Sequence, residues 1–142
     1  MNPASGAATA IQNRIFVGFH AYKENVYLAR SIVDQAADRW NLPRHVVDDA
    51  KSIIGELAVN AVQAAPGHSI GAWIVRDEAH GWVEISVWDP NPEVPKRQAI
   101  DLMSERGRGL LIVEAFATAG CGVRPGAGSG TGGKYVWARL KL

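Results

Sequence analysis

Residues 44–65 carry the sequence RHVVDDAKSIIGELAVNAVQAA, in which apolar residues recur at steps of three and four. This repeat is typical of an amphipathic helix with one apolar face. Pro66 and Gly67 follow it and predict its end. The apolar face consists of Val46, Ala50, Ile53, Ile54, Leu57, Ala58, Ala61 and Ala65. Because such a face must be covered by a second layer, the segment predicts a layered domain.

The opposite side of this helix carries a polar stripe of Asp49, Ser52, Glu56, Asn60 and Gln63. The pattern alone favours a solvated helix face. The alternative is a binding site, because Glu56 and Asn60 are four residues apart and point in the same direction. A carboxylate can accept a proton, and an amide oxygen can ligate a hard cation such as Mg²⁺. Helical periodicity allows both interpretations.

Strand and helix patterns surround this segment on both sides. A β-rich run at residues 14–20 and a helical repeat at residues 24–40 precede it. Residues 70–76 and 82–88, joined by a turn at residues 77–81, predict a β-hairpin after it. The later elements are a short helix at 97–103, a helix at 110–119, a short strand at 120–123, a glycine-rich loop at 125–133 and a last strand at 135–142. This order predicts an α+β two-layer sandwich, with helices on one face of a mixed, mostly antiparallel sheet.

Length and composition limit the class of protein. The chain has 142 residues and a mass of 15.3 kDa, which suits one domain. We expect a disordered lead-in at residues 1–12, which lack any pattern, and a single domain over residues 13–142. A net charge of +1 excludes a polybasic arm, and the single cysteine, Cys121, excludes an intrachain disulfide and a cysteine zinc site. Without an export signal or a long apolar run, a cytoplasmic protein is expected.

Three further segments could contribute to a site. Residues 107–109 (Gly-Arg-Gly) precede a predicted helix, where free backbone amides bind phosphate, although turn chemistry also explains the glycines. Asp89 ends a strand, where it could accept a hydrogen bond from an exocyclic amine or cap the next turn. Residues 128–134 fit a P-loop pattern, but Tyr135 and a strand follow, so we reject a Walker A site.

Four segments, in chain order, resemble the nucleotide-binding boxes of the GHKL ATPase superfamily, which includes histidine kinases, gyrase B and MutL. Residues 56–62 (ELAVNAV) resemble the N box, and residues 89–92 (DPNP) lie where the G1 box begins. Residues 106–110 (RGRGL) resemble the G2 box, and residues 132–138 (GGKYVWA) resemble the G3 stretch. Over residues 14–142 the chain resembles the small anti-sigma-factor serine kinases of the RsbW and SpoIIAB type, in their actinobacterial branch.

This resemblance implies a Bergerat-type fold that binds ATP and Mg²⁺ between its helices and a lid at residues 93–106. Asn60 is expected to ligate Mg²⁺, Glu56 to act as general base toward a protein serine or threonine, and Asp89 to accept a hydrogen bond from the adenine amine. The other nucleotide-binding residues that the resemblance implies are Asn91, Arg106, Gly107, Arg108, Gly109, Leu110, Gly132, Gly133 and Lys134. The resemblance therefore favours the site interpretation of the polar stripe.

The sequence departs from the family pattern in two boxes. In the G1 box, Asn91 and Glu93 replace the glycines of the usual D-x-G-x-G pattern. In the G3 stretch, Lys134 and Tyr135 stand where many members have a threonine that helps to hold the adenine. The bulk of Tyr135 predicts a weaker adenine contact. We expect weaker nucleotide affinity than in a member with complete motifs.

The resemblance also implies a function in transcription regulation by partner switching. It predicts a serine/threonine kinase that phosphorylates a STAS-type anti-sigma antagonist and alternately sequesters a sigma factor. The alternative is a non-catalytic module that binds a protein partner with weak or no nucleotide binding. The resemblance further implies a homodimer formed through the first strand and helix, with residues 15–17 as an exposed apolar edge. No direct contact with nucleic acid or membrane is expected.

Overall fold

The computed structural model describes residues 9–11, 13–93, 112–126 and 132–142. In this part of the chain, six strands form one sheet and two long helices pack on it. The helices are α1 (Val26–Trp40), which follows a 3₁₀ turn at Lys23–Asn25, and α2 (Arg44–Ala64). The strands are β1 (Thr9–Ile11), β2 (Arg14–His20), β3 (Ser69–Asp77), β4 (Trp82–Asp89), β5 (Cys121–Pro125) and β6 (Lys134–Lys141).

The sheet has the strand order β1-β2-β3-β4-β6-β5, and every pairing among these strands is antiparallel. Alternate residues of each central strand are buried under α1 and α2, as Ile15, Val17 and Phe19 are in β2. We call this side of the sheet the helix-covered face and the other side the opposite face. This arrangement confirms the predicted α+β sandwich with its helices on one face. Among the described strands the sheet is wholly antiparallel, which differs from the mixed sheet that was predicted.

Helix α2 fills the centre of the core. Its buried residues include the apolar positions that its periodicity predicts, from Val46 to Ala61. Ile53, Ile54 and Leu57 are at most 1% exposed and belong to one cluster with residues of α1 and the sheet. Burial of each such side chain stabilises the fold by about 1.5–3 kcal/mol. The amphipathic pattern therefore fixes which side of α2 meets the sheet and leaves its polar stripe outside the core.

The first residues of the chain differ from the prediction. Thr9–Ile11, which lie within the expected disordered lead-in, form β1 and pair with Arg14–Phe16 of β2. A strand edge offers unpaired backbone groups to any extended segment, whatever its side-chain pattern, so the composition of residues 1–12 could not reveal this pairing. It also means that β2 is not an edge strand there, which corrects the expectation of an exposed edge at residues 15–17. The boundary of the domain stays a prediction.

One predicted loop and one predicted helix lie within the described residues and can be compared with the structure. Residues 77–81 form the expected hairpin turn, in which His80 donates a backbone N–H to Asp77 Oδ1 at 3.0 Å and places its ring Nδ1 2.8 Å from Oδ2. These hydrogen bonds lower the pKa of Asp77. The helix predicted over 110–119 is present at 112–116 and gives way to a turn at Thr118–Ala119. The helix predicted at 97–103 and residues 127–131 of the glycine-rich loop lie outside the described residues.

In the described part of the chain, neither long helix combines the length and the apolarity that crossing a bilayer requires.

Candidate functional site

Helix α2 places Glu56 and Asn60 one turn apart on its polar stripe, and both side chains are half-buried. The amide nitrogen Nδ2 of Asn60 is fully buried, yet it has no hydrogen-bond partner among the described residues. A buried polar atom without a partner costs about 1–3 kcal/mol, so such atoms need an explanation. Because the two ends of an amide are assigned from their surroundings, the finding is that one end of Asn60 lacks a partner. A ligand at this position would supply one.

Asp89 and Lys134 form a buried ion pair beside the end of α2. They lie directly opposite each other in β4 and β6, on the helix-covered face. The ammonium Nζ of Lys134 donates to Asp89 Oδ1 at 3.0 Å, and each residue is only 2% exposed. Removing two charges from water is costly unless further hydrogen bonds compensate. Those bonds come from Asn91, whose carbonyl accepts from Lys134 Nζ at 2.8 Å and whose backbone N–H donates to Asp89 Oδ1 at 2.9 Å.

Asn91 also ties the loop after β4 to the end of α2. Its side-chain Nδ2 donates to the carbonyl of Ala64 at 2.9 Å, and its Oδ1 accepts from the backbone N–H of Glu93 at 2.9 Å. Helix ends leave carbonyl groups without intrahelical partners, and Asn91 satisfies one of them. Side-chain hydrogen bonds therefore shape this loop where the family pattern has glycines. These hydrogen bonds explain the presence of Asn91 at a position where the family pattern has a glycine.

Gly132 and Gly133 lie against the same loop. Both adopt the left-handed conformation, with φ of 60° and 72°. A Cβ atom at Gly133 would overlap the carbonyl oxygen of Asp89, and it would lie 2.9 Å from Nε1 of the Trp88 indole. The Trp88 indole donates to the carbonyl of Gly132 at 3.3 Å. Gly133 is thus required for the loop before β6 to pass close to Asp89.

Tyr135 does not lie in this site, which corrects the expectation that its bulk weakens an adenine contact. Successive residues of a strand point to opposite faces, so Tyr135 lies on the opposite face from Lys134. There its ring packs beside Trp73 at a centroid distance of 5.5 Å and beneath the guanidinium of Arg124 at 5.6 Å. Lys134 and Tyr135 stand where many family members have a threonine, and of these two residues only Lys134 is close to Asp89.

The structure therefore brings together most of the predicted site residues that it describes. Glu56 and Asn60 lie on α2, and the contact between Asn91 and Ala64 joins the end of this helix to the loop after β4. Asp89, Asn91, Gly133 and Lys134 form one hydrogen-bonded and close-packed group, and the neighbouring Gly132 accepts a hydrogen bond from Trp88. The remaining predicted residues, Arg106, Gly107, Arg108, Gly109 and Leu110, lie outside the described residues.

The ion pair of Asp89 with Lys134 is the feature of this site that sequence reasoning missed. A signal for it exists in the alternation of β6, where Val136, Ala138 and Leu140 are buried and Lys134 occupies the same face. A lysine in line with buried apolar residues predicts a buried acidic partner. The identity of that partner depends on the strand register.

The residues present fit a nucleotide with a bound divalent cation. Asn60 offers an amide with one unsatisfied end, and Glu56 offers a carboxylate one turn away. The described residues contain no cluster of three or more His, Cys, Asp or Glu side chains that could hold a metal alone. Mg²⁺ suits such a sparse site, because it keeps several waters and is often held by one or two protein oxygens together with substrate phosphates.

Comparison with known families agrees with this geometry. The model of the histidine kinase-like ATPase domain matches residues 19–132, which include α2, the loop after β4 and Gly132. The match covers most of the chain, so the chain belongs to this family of GHKL-type ATPase domains. A search of curated proteins returned no match.

Proposed function

Because the chain is a histidine kinase-like ATPase domain, we propose that it binds ATP with Mg²⁺ and transfers phosphate to a serine or threonine of a protein partner. The observation that carries this proposal is the buried Asn60 amide with one end unsatisfied, one turn from Glu56 on α2. A solvated helix face gives no reason to bury an amide without a partner. A nucleotide phosphate at this position would give such a reason, because a phosphate oxygen would accept from the amide N–H while the amide oxygen holds the cation.

Each residue then has a defined task. The Asn60 amide oxygen would hold the cation, and the Glu56 carboxylate would accept the proton of the attacking hydroxyl. Bound Mg²⁺ would neutralise phosphate charge. Asp89 would accept a hydrogen bond from the adenine amine while its loop is held by Asn91. Phosphoryl transfer depends mainly on positioning and charge stabilisation, which these groups would supply together with the bound Mg²⁺. The proposed contributions of residues 106–110 follow from the resemblance alone.

We further propose that the phosphorylated partner is a small anti-sigma antagonist of STAS type and that a sigma factor is the alternative partner. The resemblance to anti-sigma-factor kinases over residues 14–142 supports this cytoplasmic partner-switching role. In that role the nucleotide state of the site would decide which partner is held.

Calorimetric titration with ATP, with and without Mg²⁺, tests the nucleotide site. Wild type should bind ATP in a magnesium-dependent manner, and Asn60→Ala should lose the magnesium dependence. Glu56→Gln should keep ATP binding, because its proposed role begins after binding. Gln63→Ala is the matched control, since Gln63 is an exposed amide on the same polar stripe of α2. Magnesium dependence in Asn60→Ala equal to that of Gln63→Ala would remove Asn60 from the cation site.

Phosphate transfer is tested on protein that co-purifies with the chain. Mass spectrometry should find a phosphorylated serine or threonine on the partner after incubation with wild type and Mg-ATP. The rate should fall about 10²- to 10⁴-fold for Glu56→Gln, the usual contribution of a general base. Transfer at the wild-type rate in this variant would contradict the assigned role of Glu56.

A second candidate function is a non-catalytic module that holds a protein partner. The observation that favours it is the ion pair of Asp89 with Lys134, which compensates the charge of the carboxylate without any nucleotide. This candidate predicts no heat of ATP binding by wild type at millimolar concentration and no phosphate on a co-purified partner. The calorimetric titration and the mass-spectrometric assay of phosphate transfer therefore decide between the candidates.

A further inference from the structure

The opposite face of the sheet contains a cavity of about 410 Å³ where β2, β3 and β4 lie side by side. Gly18, Gly71 and Trp88 form one row across these strands, because Gly18 pairs with Gly71 and Gly71 pairs with Trp88. Residues paired across antiparallel strands lie on the same face. Two of the three positions in this row therefore carry no side chain, and the gap that they leave is the floor of the cavity.

Aromatic rings form two sides of this cavity. Phe16 and Trp73 are paired in the next row, and their ring centroids are 4.7 Å apart. The Trp73 ring leans over Gly71, where a Cβ atom would lie only 2.7 Å from it. The indole of Trp88 forms the other aromatic side, and its Nε1 donates to the carbonyl of Gly132 at 3.3 Å. Contacts within the protein thus orient the rings that line the cavity.

The remaining side of the cavity is polar. It is formed by the paired residues His20 and Ser69, whose imidazole and hydroxyl groups can each donate or accept a hydrogen bond. The described lining contains no Asp, Glu, Lys or Arg side chain. A charged ligand would lose its hydration here without gaining an opposite charge. The lining therefore favours an uncharged molecule with a polar group at one end.

The size of the cavity indicates a small ligand rather than a single water molecule. Small-molecule sites commonly have volumes of about 300–1,000 Å³ and are lined mainly by apolar and aromatic side chains with a few polar groups. An apolar cavity of about 150 Å³ is large enough for one benzene ring. The larger volume of this cavity suits a ligand of two fused rings, whose flat faces can pack against aromatic side chains.

We propose that this cavity is a binding site for a small, uncharged aromatic molecule with one hydrogen-bonding group, of which indole is the simplest two-ring example. The rings of the ligand would pack against Trp73 and Trp88, and its polar group would form a hydrogen bond at Ser69. The cavity is separate from the candidate nucleotide site, because Glu56 and Asn60 lie on α2, on the other side of the sheet. Its occupation therefore does not depend on the proposed function.

Titration of ¹⁵N-labelled protein with indole, in the absence of nucleotide, tests the site by NMR. The chain has five tryptophans, and each gives one Nε1–H signal that its Trp→Phe variant assigns. The signals of Trp73 and Trp88 should shift with a common dissociation constant of about 1 mM or less, which is within the range for a ligand of this size. The signals of Trp82 and Trp137 should stay in place, because these residues lie on the same face but outside the cavity.

A variant that fills the cavity provides the second comparison. A Cβ atom at Gly18 would meet the Phe16 ring at 3.3 Å and a backbone oxygen at 3.8 Å, so a side chain fits there with a small shift of the ring. Gly18→Val should therefore fold and bind indole about 10-fold or more weakly than wild type. Val75→Leu is the matched control, since Val75 lies on the same face outside the lining, and it should bind like wild type.

A charged analogue tests the proposed class of ligand. Indole-3-acetate has the same two rings and carries a carboxylate. Since the described lining offers this carboxylate no lysine or arginine, wild type should bind indole-3-acetate about 10-fold or more weakly than indole.

Each outcome decides the proposal. Saturable shifts of Trp73 and Trp88 in wild type that are weakened in Gly18→Val would support it. The absence of such shifts, equal shifts of all tryptophan signals, or equal affinities for indole and indole-3-acetate would overturn it. Signals of Trp73 and Trp88 that respond to protein concentration and not to indole would assign the cavity to a second copy of the chain and would also overturn it. If Gly18→Val does not fold, the pattern of shifts among the wild-type tryptophans remains as the deciding measurement.

Discussion

Gly133 illustrates how a single residue controls the approach of two loops at the candidate site. Its positive φ of 72° is one that other residues adopt only with strain, and its missing Cβ leaves room for the Asp89 carbonyl. The neighbouring Gly132 has a similar φ of 60°, but a Cβ there would meet nothing within 4 Å. Both positions require a left-handed backbone, but only at Gly133 would a Cβ atom overlap another group. The cost of the backbone conformation and the cost of the overlap can therefore be measured separately.

We expect Gly133→Ala to destabilise the protein more than Gly132→Ala. The left-handed conformation costs about 1–2 kcal/mol for an alanine at either position. At Gly133 the overlap with the Asp89 carbonyl adds about 1–3 kcal/mol, the usual cost of overpacking. Urea denaturation of both variants and wild type measures the difference. Equal free energies of unfolding for the two variants would show that the loop before β6 can move away from the Asp89 carbonyl without a loss of stability.

At the scale of elements, the site depends on the loop after β4, which the side chain of Asn91 attaches to the end of α2. Asn91 contacts α2 at Ala64, the first residues of the loop at Glu93 and the ion pair through its backbone. The usual family pattern solves the same problem with glycines, which allow close approach but hold nothing in place. In this chain the attachment supplies rigidity instead. A rigid loop keeps Asp89 aligned whether or not a nucleotide is bound.

Restoring the family glycine should therefore weaken this protein. Asn91→Gly removes the hydrogen bonds to Ala64 and Glu93, and we expect a loss of about 1–3 kcal/mol in unfolding free energy. The matched control is Asn41→Gly at the end of α1, where the residue has a left-handed φ of 51°. Glycine is favoured in that conformation, so the control should stay within about 0.5 kcal/mol of wild type. An unfolding free energy of Asn91→Gly equal to that of wild type would mean that other contacts hold the loop after β4.

At the scale of the whole molecule, β1 and β5 are the outer strands of the described sheet. The outer edge of β1 presents backbone groups that no described strand pairs, which makes it a surface for association. The resemblance to anti-sigma-factor kinases implies a homodimer through the first strand and helix. Since β1 covers the first half of β2, such a dimer would involve β1 rather than the edge of β2.

We predict a dimer at micromolar concentration, with twice the chain mass of 15.3 kDa. Light scattering coupled to gel filtration measures this mass directly, and dilution should shift it toward the monomer value. A monomer at all concentrations up to about 100 µM would contradict the prediction, because a specific interface of ordinary size gives tighter association.

Local periodicity allowed much of the fold to be predicted. The repeat of residues 44–65 gave both the bounds of α2 and its buried face, because a helix places residues three and four apart on one side wherever it occurs. Runs of β-forming residues gave β2, β3 and β4, and alternation gave β6, to within one residue at each end. The spacing of Glu56 and Asn60 likewise placed them together, since their relation depends on one helix only.

The tertiary structure decided the relations between distant segments. The ion pair of Asp89 with Lys134 joins residues 45 positions apart through the register of β4 and β6. The same register placed Tyr135 on the opposite face, and pairing along an edge made Thr9–Ile11 a strand. The physical reason is that helical and strand patterns arise from near neighbours in the chain. Register, edge pairing and the burial of a charge depend on which segments meet, and that is determined only when the sheet and its helices are assembled.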